Sequence, residues 1–214
     1  MRIRNVKNKE EILNNSKYLI NNPQDYIKRW NTIFKNNNPI YIEIGMGKGK
    51  FIIENALKYP DINFIGIERQ DSIIVRGLQK LNDIDIPNLR IVRMNALVID
   101  EVFSKEVSRI YLNFSDPWPK VRHHARRLTS NIFLDKYDSI FKDEKEIFMR
   151  TDNASLFTYS LESLSNHGYY LKDISLDLHN NCEEELITTE YEDKFSKENK
   201  PIYSLVASSK KCLK

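Results

Sequence analysis

The sequence predicts an α/β fold in which a mostly parallel central sheet is covered by helices on both faces. Short apolar runs alternate with segments of helical length, which is the pattern of parallel strands joined by helices. The first run ends in closely spaced glycines, and each of the five runs has a carboxylate or amide side chain at its end. The chain has 214 residues, enough for one domain with a full hydrophobic core.

The five apolar runs of the predicted sheet are Pro39–Gly45, Asn63–Glu68, Leu89–Asn95, Ser108–Asp116 and Lys145–Asp152. The predicted helices are Lys50–Tyr59, Asp71–Leu81, Ser130–Phe141 and Ala154–Asn166. Two later β-like runs are Tyr169–Leu178 and Ile202–Ser208. Because the last run lies close to the C-terminus, we expect it to be built into the sheet as an antiparallel strand.

The first 38 residues differ from the rest of the chain. They are polar, with scattered apolar positions, and predict one or two short helices that lead into a loop before the first strand. We therefore expect an N-terminal helical arm over residues 1–38 and the main domain over residues 39–214.

Composition narrows the class of protein. A hydrophobic fraction of 41% and a charged fraction of 29% are typical of a soluble globular protein, and the net charge of +3 indicates little about partners. The first residues have no apolar run of a secretory signal, and no run approaches the ~20 residues of a membrane span. Cys182 and Cys212 match no metal-ligand spacing. We expect a cytoplasmic protein without membrane or metal; the sequence indicates no oligomeric state.

The first strand leads into a glycine-rich loop, E-I-G-M-G-K-G, over Glu43–Gly49. Gly45, Gly47 and Gly49 allow the backbone to turn tightly and to approach a ligand closely. A dinucleotide fingerprint requires glycine where Lys50 stands, so an NAD enzyme is the second choice for this site. The pattern E-x-G-x-G-x-G resembles the first motif of Rossmann-like methyltransferases that bind S-adenosylmethionine, and Glu43 suits the amino-acid tail of that cofactor.

Two further strand ends support a cofactor site. Ligands of open α/β sheets bind at the carboxyl ends of the strands. Glu68 ends the second run about 20 residues after the glycines, and its two oxygens can accept both hydroxyls of a ribose. Asn95 ends the third run, where an amide can pair with an adenine edge. A glycine-rich turn alone indicates only a tight turn, but the three features together favour a cofactor site.

The most informative stretch follows the fourth run, where Asp116–Lys120 (D-P-W-P-K) precedes Arg122–Arg127 (R-H-H-A-R-R). This combination resembles the bacterial tRNA (guanine-N7)-methyltransferase family. Further matches, in the order of the family, are Glu43–Gly49, Gly66–Glu68, Asn95–Ala96, Thr151–Asn153 and Thr189–Glu192. The resemblance implies a Rossmann-like class I methyltransferase that transfers a methyl group from S-adenosylmethionine to N7 of a guanosine in the variable loop of tRNA.

The segment after Asp116 carries charge of one sign, since no acidic residue occurs before Asp135. Its basic and imidazole side chains are Lys120, Arg122, His123, His124, Arg126 and Arg127. Beside a carboxylate at a strand end, this run predicts a track for RNA phosphates. The alternative is a solvated basic face. Trp118 is equally suited to stacking on an extruded base and to core packing.

Guanine offers N1–H and an amino group as donors, for which carboxylates are natural acceptors. Asp152 and Glu192 are candidate readers of the base on this ground, and the resemblance points to the same places. By resemblance, the residues that bind the tRNA substrate in these segments are Asp152, Thr189, Glu190, Tyr191 and Glu192. Without the resemblance, surface charge is the simpler interpretation of the two glutamates.

We expect Asp116 to be the catalytic residue. N7 has a lone pair and no proton, so the reaction needs alignment and charge stabilisation, without a base to create the nucleophile. Asp116 is also a candidate contact for the amino group of the cofactor. The alternatives are a methyltransferase acting on another RNA, a protein or a small molecule, and a non-catalytic RNA-binding protein with a Rossmann-like domain.

Overall fold

The computed structural model describes residues 8–181, 186–195 and 200–209. The basic start Met1–Arg4 and both cysteines, Cys182 and Cys212, lie outside these ranges. The strands are Leu19–Ile20 (β1), Ile40–Ile44 (β2), Asn63–Glu68 (β3), Leu89–Arg93 (β4), Val107–Asn113 (β5), Glu146–Thr151 (β6), Tyr170–Ser175 (β7) and Tyr203–Ser208 (β8). The α-helices are Lys9–Asn15 (α1), Trp30–Phe34 (α2), Lys50–Lys58 (α3), Asp71–Gln79 (α4), Asn131–Ile140 (α5), Ala154–Asn166 (α6), Leu178–Asn181 (α7) and Glu190–Phe195 (α8).

The strands form one sheet in the order β1-β4-β3-β2-β5-β6-β8-β7. All pairs from β1 to β6 are parallel, whereas β8 is antiparallel to both of its neighbours. This confirms the predicted sheet and its antiparallel C-terminal strand. The chain crosses from β4 back past β2 to β5, so the strand order reverses between β2 and β5. A crevice is expected at the carboxyl ends of the strands at such a point.

Helices cover both faces of the sheet, as predicted. One apolar cluster joins the strands to α5 and α6 through Leu134 and Leu156, and the other joins them to α3 and α4 through Ile52 and Ile74. Every residue of β3 is buried, since a parallel strand with helices on both sides has no solvent-facing side.

The N-terminal segment contains more than the predicted helices. β1 pairs in parallel with β4, with Leu19 opposite Ile91. Trp30 is fully buried, stacks on Phe103 and donates from its indole nitrogen to the carbonyl oxygen of Val102 at 3.0 Å. A strand of two residues is too short to leave a periodic signal, which is why the sequence did not predict it. The domain boundary at residue 38 stays a prediction, although residues 8–38 share the main core.

The fourth predicted strand ends earlier than expected. β5 stops at Asn113, and the following residues up to Lys120 form an irregular loop that carries Asp116. Pro117 and Pro119 have no backbone N–H for a sheet ladder, so the strand cannot continue through them. Across the ranges that the structure describes, no helix is both long and apolar enough to span a membrane.

Candidate active site

A cleft of about 700 Å³ opens at the carboxyl ends of β2, β3, β4 and β5. It brings together the predicted residues Gly45, Glu68, Asn95, Asp116 and Arg126, and Trp118 also lines it. The other predicted site residues are not among its lining residues. They lie in or behind the glycine loop, in the basic segment, directly after β6 or in the segment around α8.

The glycine loop turns directly at the end of β2. The N–H groups of Gly45 and Met46 both donate to the carbonyl oxygen of Ile67, at 2.8 and 3.0 Å, and so tie the loop to β3. Gly45 and Gly47 have φ values of 80° and 58°, in the left-handed region that favours glycine. A Cβ at either position would meet no atom within 4 Å, so the backbone conformation is what calls for glycine there.

Glu43 lies buried behind this loop. Its Oε1 accepts a hydrogen bond from the side-chain amide of Asn113 at 2.9 Å, while Oε2 is buried without a hydrogen-bond partner among the described residues. Burial raises the pKa of Glu43 to about 8; the Asn113 amide opposes this shift and the nearby Glu190 adds to it. Asn113 was not predicted as a site residue; it is the last residue of β5, shortly before Asp116 in the chain.

Glu68 and Asn95 stand at neighbouring strand ends, as predicted. Oε1 of Glu68 accepts from the backbone amides of Arg69 and Gln70 at 2.8 and 3.0 Å, which fixes the orientation of the carboxylate at the cleft. The side-chain oxygen of Asn95 accepts from the amide of Leu97 at 3.1 Å and caps the short 3-10 helix Ala96–Glu101. Both side chains are therefore oriented by local backbone groups.

Asp116 is exposed on the loop that follows β5. Phe114 and Trp118 flank it with φ values of 49° and 41°, a conformation that is uncommon for residues with bulky side chains. The amide of Phe114 donates to the carbonyl oxygen of Arg150 at 2.8 Å, which holds the start of the loop against β6. The carboxylate of Asp116 therefore lies at the cleft, on a loop without regular secondary structure.

The basic segment forms a 3-10 helix over Val121–Arg126 and divides into exposed and buried members. Lys120, Arg122 and Arg126 are exposed, whereas His123 and His124 are half-buried. Arg126 lies over the ring of Trp118 at 4.9 Å, and the ring of His123 meets the same indole edge-on.

Arg127 does not lie on this surface, contrary to expectation. Its residue surface is only 2% exposed, and its guanidinium donates to the carbonyl oxygens of Pro117 and Trp118 at 2.9 and 3.3 Å. The positive charge therefore faces the inside of the loop, where two carbonyl oxygens accept hydrogen bonds from it.

Asp152 and Tyr191 meet beside the loop. The hydroxyl of Tyr191 donates to Oδ2 of Asp152 at 2.9 Å, and the ring of Tyr191 lies 4.8 Å from that of Phe114. The structure thus brings the predicted residues of two distant segments, at the end of β6 and in α8, together next to Phe114, on the loop that carries Asp116.

Thr189 and Glu192 form a capping box at the start of α8. The amide of Thr189 donates to Oε2 of Glu192 at 2.7 Å, and the amide of Glu192 donates to Oγ1 of Thr189 at 3.1 Å. Glu192 is buried, and its Oε1 has no hydrogen bond among the described residues, although Arg150 and His179 lie at 3.6 Å.

Glu190 points instead to the glycine loop. It accepts from the backbone amide of Lys50 at 3.2 Å and forms an ion pair with Lys80. Nζ of Lys50 in turn donates to Thr188 and Asp193, both at 2.6 Å. Lys50, which breaks the dinucleotide fingerprint, thus connects the glycine loop to the segment around α8. The sequence did not predict this contact, because the two segments lie far apart in the chain.

Among residues 8–181, 186–195 and 200–209, no three His, Cys, Asp or Glu side chains are grouped as metal ligands would be.

The strand order and its reversal between β2 and β5 define a Rossmann-like α/β fold, and comparison with known proteins identifies it as that of a class I methyltransferase. A solved structure with the description "Structure of an Antibiotic Related Methyltransferase" shares this fold, with a TM-score of 0.63 and 17% identity over 85% of this chain and 92% of that one. The family model described as "Putative methyltransferase" matches residues 37–205.

Two similar proteins identify the family within the methyltransferases. The tRNA (guanine-N(7)-)-methyltransferase of Lysinibacillus sphaericus is 50% identical over 96% of both chains. The protein of the same name from Bacillus subtilis is 50% identical over 88% of this chain and 89% of its own. The chain belongs to the tRNA (guanine-N7)-methyltransferase family.

Proposed function

We propose that this enzyme transfers a methyl group from S-adenosylmethionine to N7 of a guanosine in tRNA, in the cytoplasm. The observation that carries the proposal is the single cleft in which Glu68 and Asn95, suited to a nucleoside, face a loop with Asp116. The names of the relatives support the same activity.

The cleft suits S-adenosylmethionine in size and in the chemistry of its walls. A volume of about 700 Å³ lies within the range for small-molecule sites. Glu68, already oriented by two amides, would accept the ribose hydroxyls, and Asn95 would face the adenine. The buried free oxygen of Glu43 offers an acceptor behind the glycine loop for a donor group of the amino-acid tail. When bound, this cofactor supplies a methyl group activated by a sulfonium.

The protein has to align N7 with that methyl group and to stabilise the charge that forms. Asp116 stands where its carboxylate can face both the cofactor and the target base, since it lines the cleft from an exposed loop. The methylated base is cationic, so a fixed carboxylate favours the transition state. Holding both partners in line can contribute up to roughly 7–11 kcal/mol of barrier lowering.

The guanine base is recognised by residues of α8 and by the neighbouring Asp152. The carboxylate of Asp152, held by the hydroxyl of Tyr191, and that of Glu192, whose Oε1 has Arg150 at 3.6 Å, are the acceptors for N1–H and the amino group of guanine. Thr189 holds Glu192 through the capping box, and Glu190 ties the group to the cofactor loop. The residues that select guanine and the loop that binds the cofactor are then connected through Glu190.

Phosphate binding falls to the exposed part of the basic segment. Lys120, Arg122 and Arg126 project beside the cleft, with His123 and His124 between them. Cations on one exposed stretch next to the reacting base are suited to the backbone of a folded RNA.

The decisive experiment incubates the protein with tRNA and S-adenosylmethionine labelled in the methyl group. Mass spectrometry of the digested nucleosides should find the label only in 7-methylguanosine. A matched transcript made with 7-deazaguanosine, which has no N7, should take up no label. Label on another nucleoside would indicate a different RNA methyltransferase, and cofactor binding without transfer would indicate a non-catalytic RNA-binding protein.

A further inference from the structure

Arg127 is the last residue of the basic segment and the only one of its four Lys and Arg side chains that is buried. Nε donates to the carbonyl oxygen of Pro117 at 2.9 Å, and Nη2 donates to that of Trp118 at 3.3 Å. The guanidinium also lies 4.4 Å from the ring centre of Tyr159 in α6. Its donors therefore point away from any bound RNA phosphate and into the protein.

The loop that Arg127 contacts is poor in hydrogen bonds of its own. Pro117 and Pro119 lack an N–H, and both Phe114 and Trp118 have left-handed φ values. A loop of this shape keeps its conformation only if neighbouring groups determine it. The fork of a guanidinium is suited to this, because it can reach two successive carbonyl groups at a fixed spacing.

Those two carbonyl groups belong to the residues that directly follow Asp116. We propose, on the basis of the proposed function, that Arg127 is a positioning residue. It holds the Phe114–Lys120 loop so that Asp116 faces the reacting atoms, and it makes no contact with tRNA phosphates. The buried guanidinium is stabilised by its hydrogen bonds to the two carbonyl groups, because hydrogen bonds from a charged donor are strong.

The chain offers a matched comparison in the adjacent residue. Arg126 has the same side chain, but it is exposed and lies over the ring of Trp118. Arg126→Gln should therefore weaken tRNA binding and lower the slope of log K against log salt by about 0.7–0.9. Arg127→Gln should leave that slope and the affinity for S-adenosylmethionine unchanged, and lower kcat at least 10-fold with both substrates saturating. Arg127→Lys should lose most of kcat as well, because an ammonium group cannot form the fork.

A double-mutant cycle tests whether Arg127 acts through Asp116. In the Asp116→Asn background, Arg127→Gln should lower kcat by less than threefold, since the carboxylate to be positioned is already absent. Equal losses in both backgrounds would overturn the proposal. So would retained kcat together with a reduced salt slope in Arg127→Gln, which would make the residue a phosphate contact.

Hydrogen exchange provides a readout that does not depend on the reaction. The amide of Phe114, which is protected by its hydrogen bond to the carbonyl oxygen of Arg150 at the start of the loop, should exchange at least 10-fold faster in Arg127→Gln and Arg127→Lys than in the wild type and Arg126→Gln. Unchanged exchange would contradict the proposed anchoring. Absence of methyl transfer by the wild type would contradict the proposed function alone, and the exchange measurement would still decide the role of Arg127.

Discussion

Three carboxylates near the cleft differ in burial, and their expected roles differ accordingly. Asp116 is exposed and is free to face a substrate, whereas Glu43 and Glu192 are buried with one oxygen each that lacks a hydrogen bond in the described part of the chain. A buried carboxylate oxygen without a donor is costly to the folded protein. Such a cost is typical of binding sites, where a ligand supplies the missing donor.

Asp116→Asn should lower kcat by ~10²–10³, because one pre-organised electrostatic contact is removed while the shape is kept. The Kd values for tRNA and S-adenosylmethionine should change by only a few-fold. Steady-state kinetics and calorimetry measure the two effects. The kcat of the wild type should be nearly flat from neutral to mildly alkaline pH, since no base has to be deprotonated. A kcat that falls as the pH drops through a single pKa in this range would instead indicate a general base.

Glu43→Gln should stabilise the protein increasingly as the pH rises. The pKa of Glu43 is raised from 4.5 to about 8, so the stability of its neutral folded form is complete below pH 4.5 and is lost as the pH rises through about 8. Glutamine keeps the contact with Asn113 and has no charge to bury. Its advantage in the free energy of unfolding should therefore grow between pH 5 and pH 9, by at most about 5 kcal/mol.

Urea unfolding at the two pH values measures this difference for Glu43→Gln. The exposed Glu101 supplies the control, because Glu101→Gln should give the same small difference at both pH values. A difference for Glu43→Gln that did not change with pH would mean that the carboxyl group is ionised throughout. The variant should also bind S-adenosylmethionine more weakly, since an acceptor has been changed to an amide.

At the scale of the element, α8 shows how a short helix is held in place. It is stabilised at its start by the capping box and is tied to the glycine loop by Glu190. A helix this short is not stable by itself in water, so these contacts determine whether it forms. The pattern Thr189-x-x-Glu192 carried the signal for the capping box, but the resemblance directed attention to guanine binding instead.

Thr189→Ala should loosen α8 without unfolding the protein. Loss of a threonine cap costs about 0.5–2 kcal/mol, so the exchange of the Glu192 amide should accelerate roughly 2- to 30-fold. Thr189→Ser keeps the oxygen that accepts from this amide and should behave like the wild type. The global free energy of unfolding should change by less than about 0.5 kcal/mol. Wild-type exchange in Thr189→Ala would show that the capping box does not hold this helix.

At the scale of the whole molecule, the N-terminal segment and the sheet share one core. β1 extends the sheet beyond β4, and Trp30 packs under the connection that leads to β5. We therefore expect the N-terminal segment to unfold cooperatively with the sheet, because Trp30 belongs to the same apolar cluster as the central strands.

Trp30→Ala should lower the global free energy of unfolding by about 3–5 kcal/mol, as for other large buried aromatic residues. The exposed Leu57 supplies the control, and Leu57→Ala should cost much less. Urea denaturation followed by circular dichroism measures both. If Trp30→Ala left the main transition in place, residues 8–38 would be an independent arm.

Much of the fold was predictable because it depends on local periodicity. Alternating apolar runs and helical segments follow from burial on both faces of a parallel sheet. This pattern can be recognised in the sequence without knowing which residues are in contact. The glycine loop, Glu68 and Asn95 were predictable for a related reason. Strand ends of a parallel sheet meet at one edge, so residues at those ends come together.

The positions within the site depended on the tertiary structure. The sequence by itself determined the class of fold, the edge of the sheet at which the cleft opens and the position of the basic segment, since each depends on residue types at short spacing. Only the tertiary structure decided that Arg127 is buried, that Glu43 pairs with Asn113 and that Lys50 contacts the segment around α8. The physical reason is that the partner and solvent exposure of a polar side chain are set by residues distant in the chain, about which its neighbours in sequence carry no information.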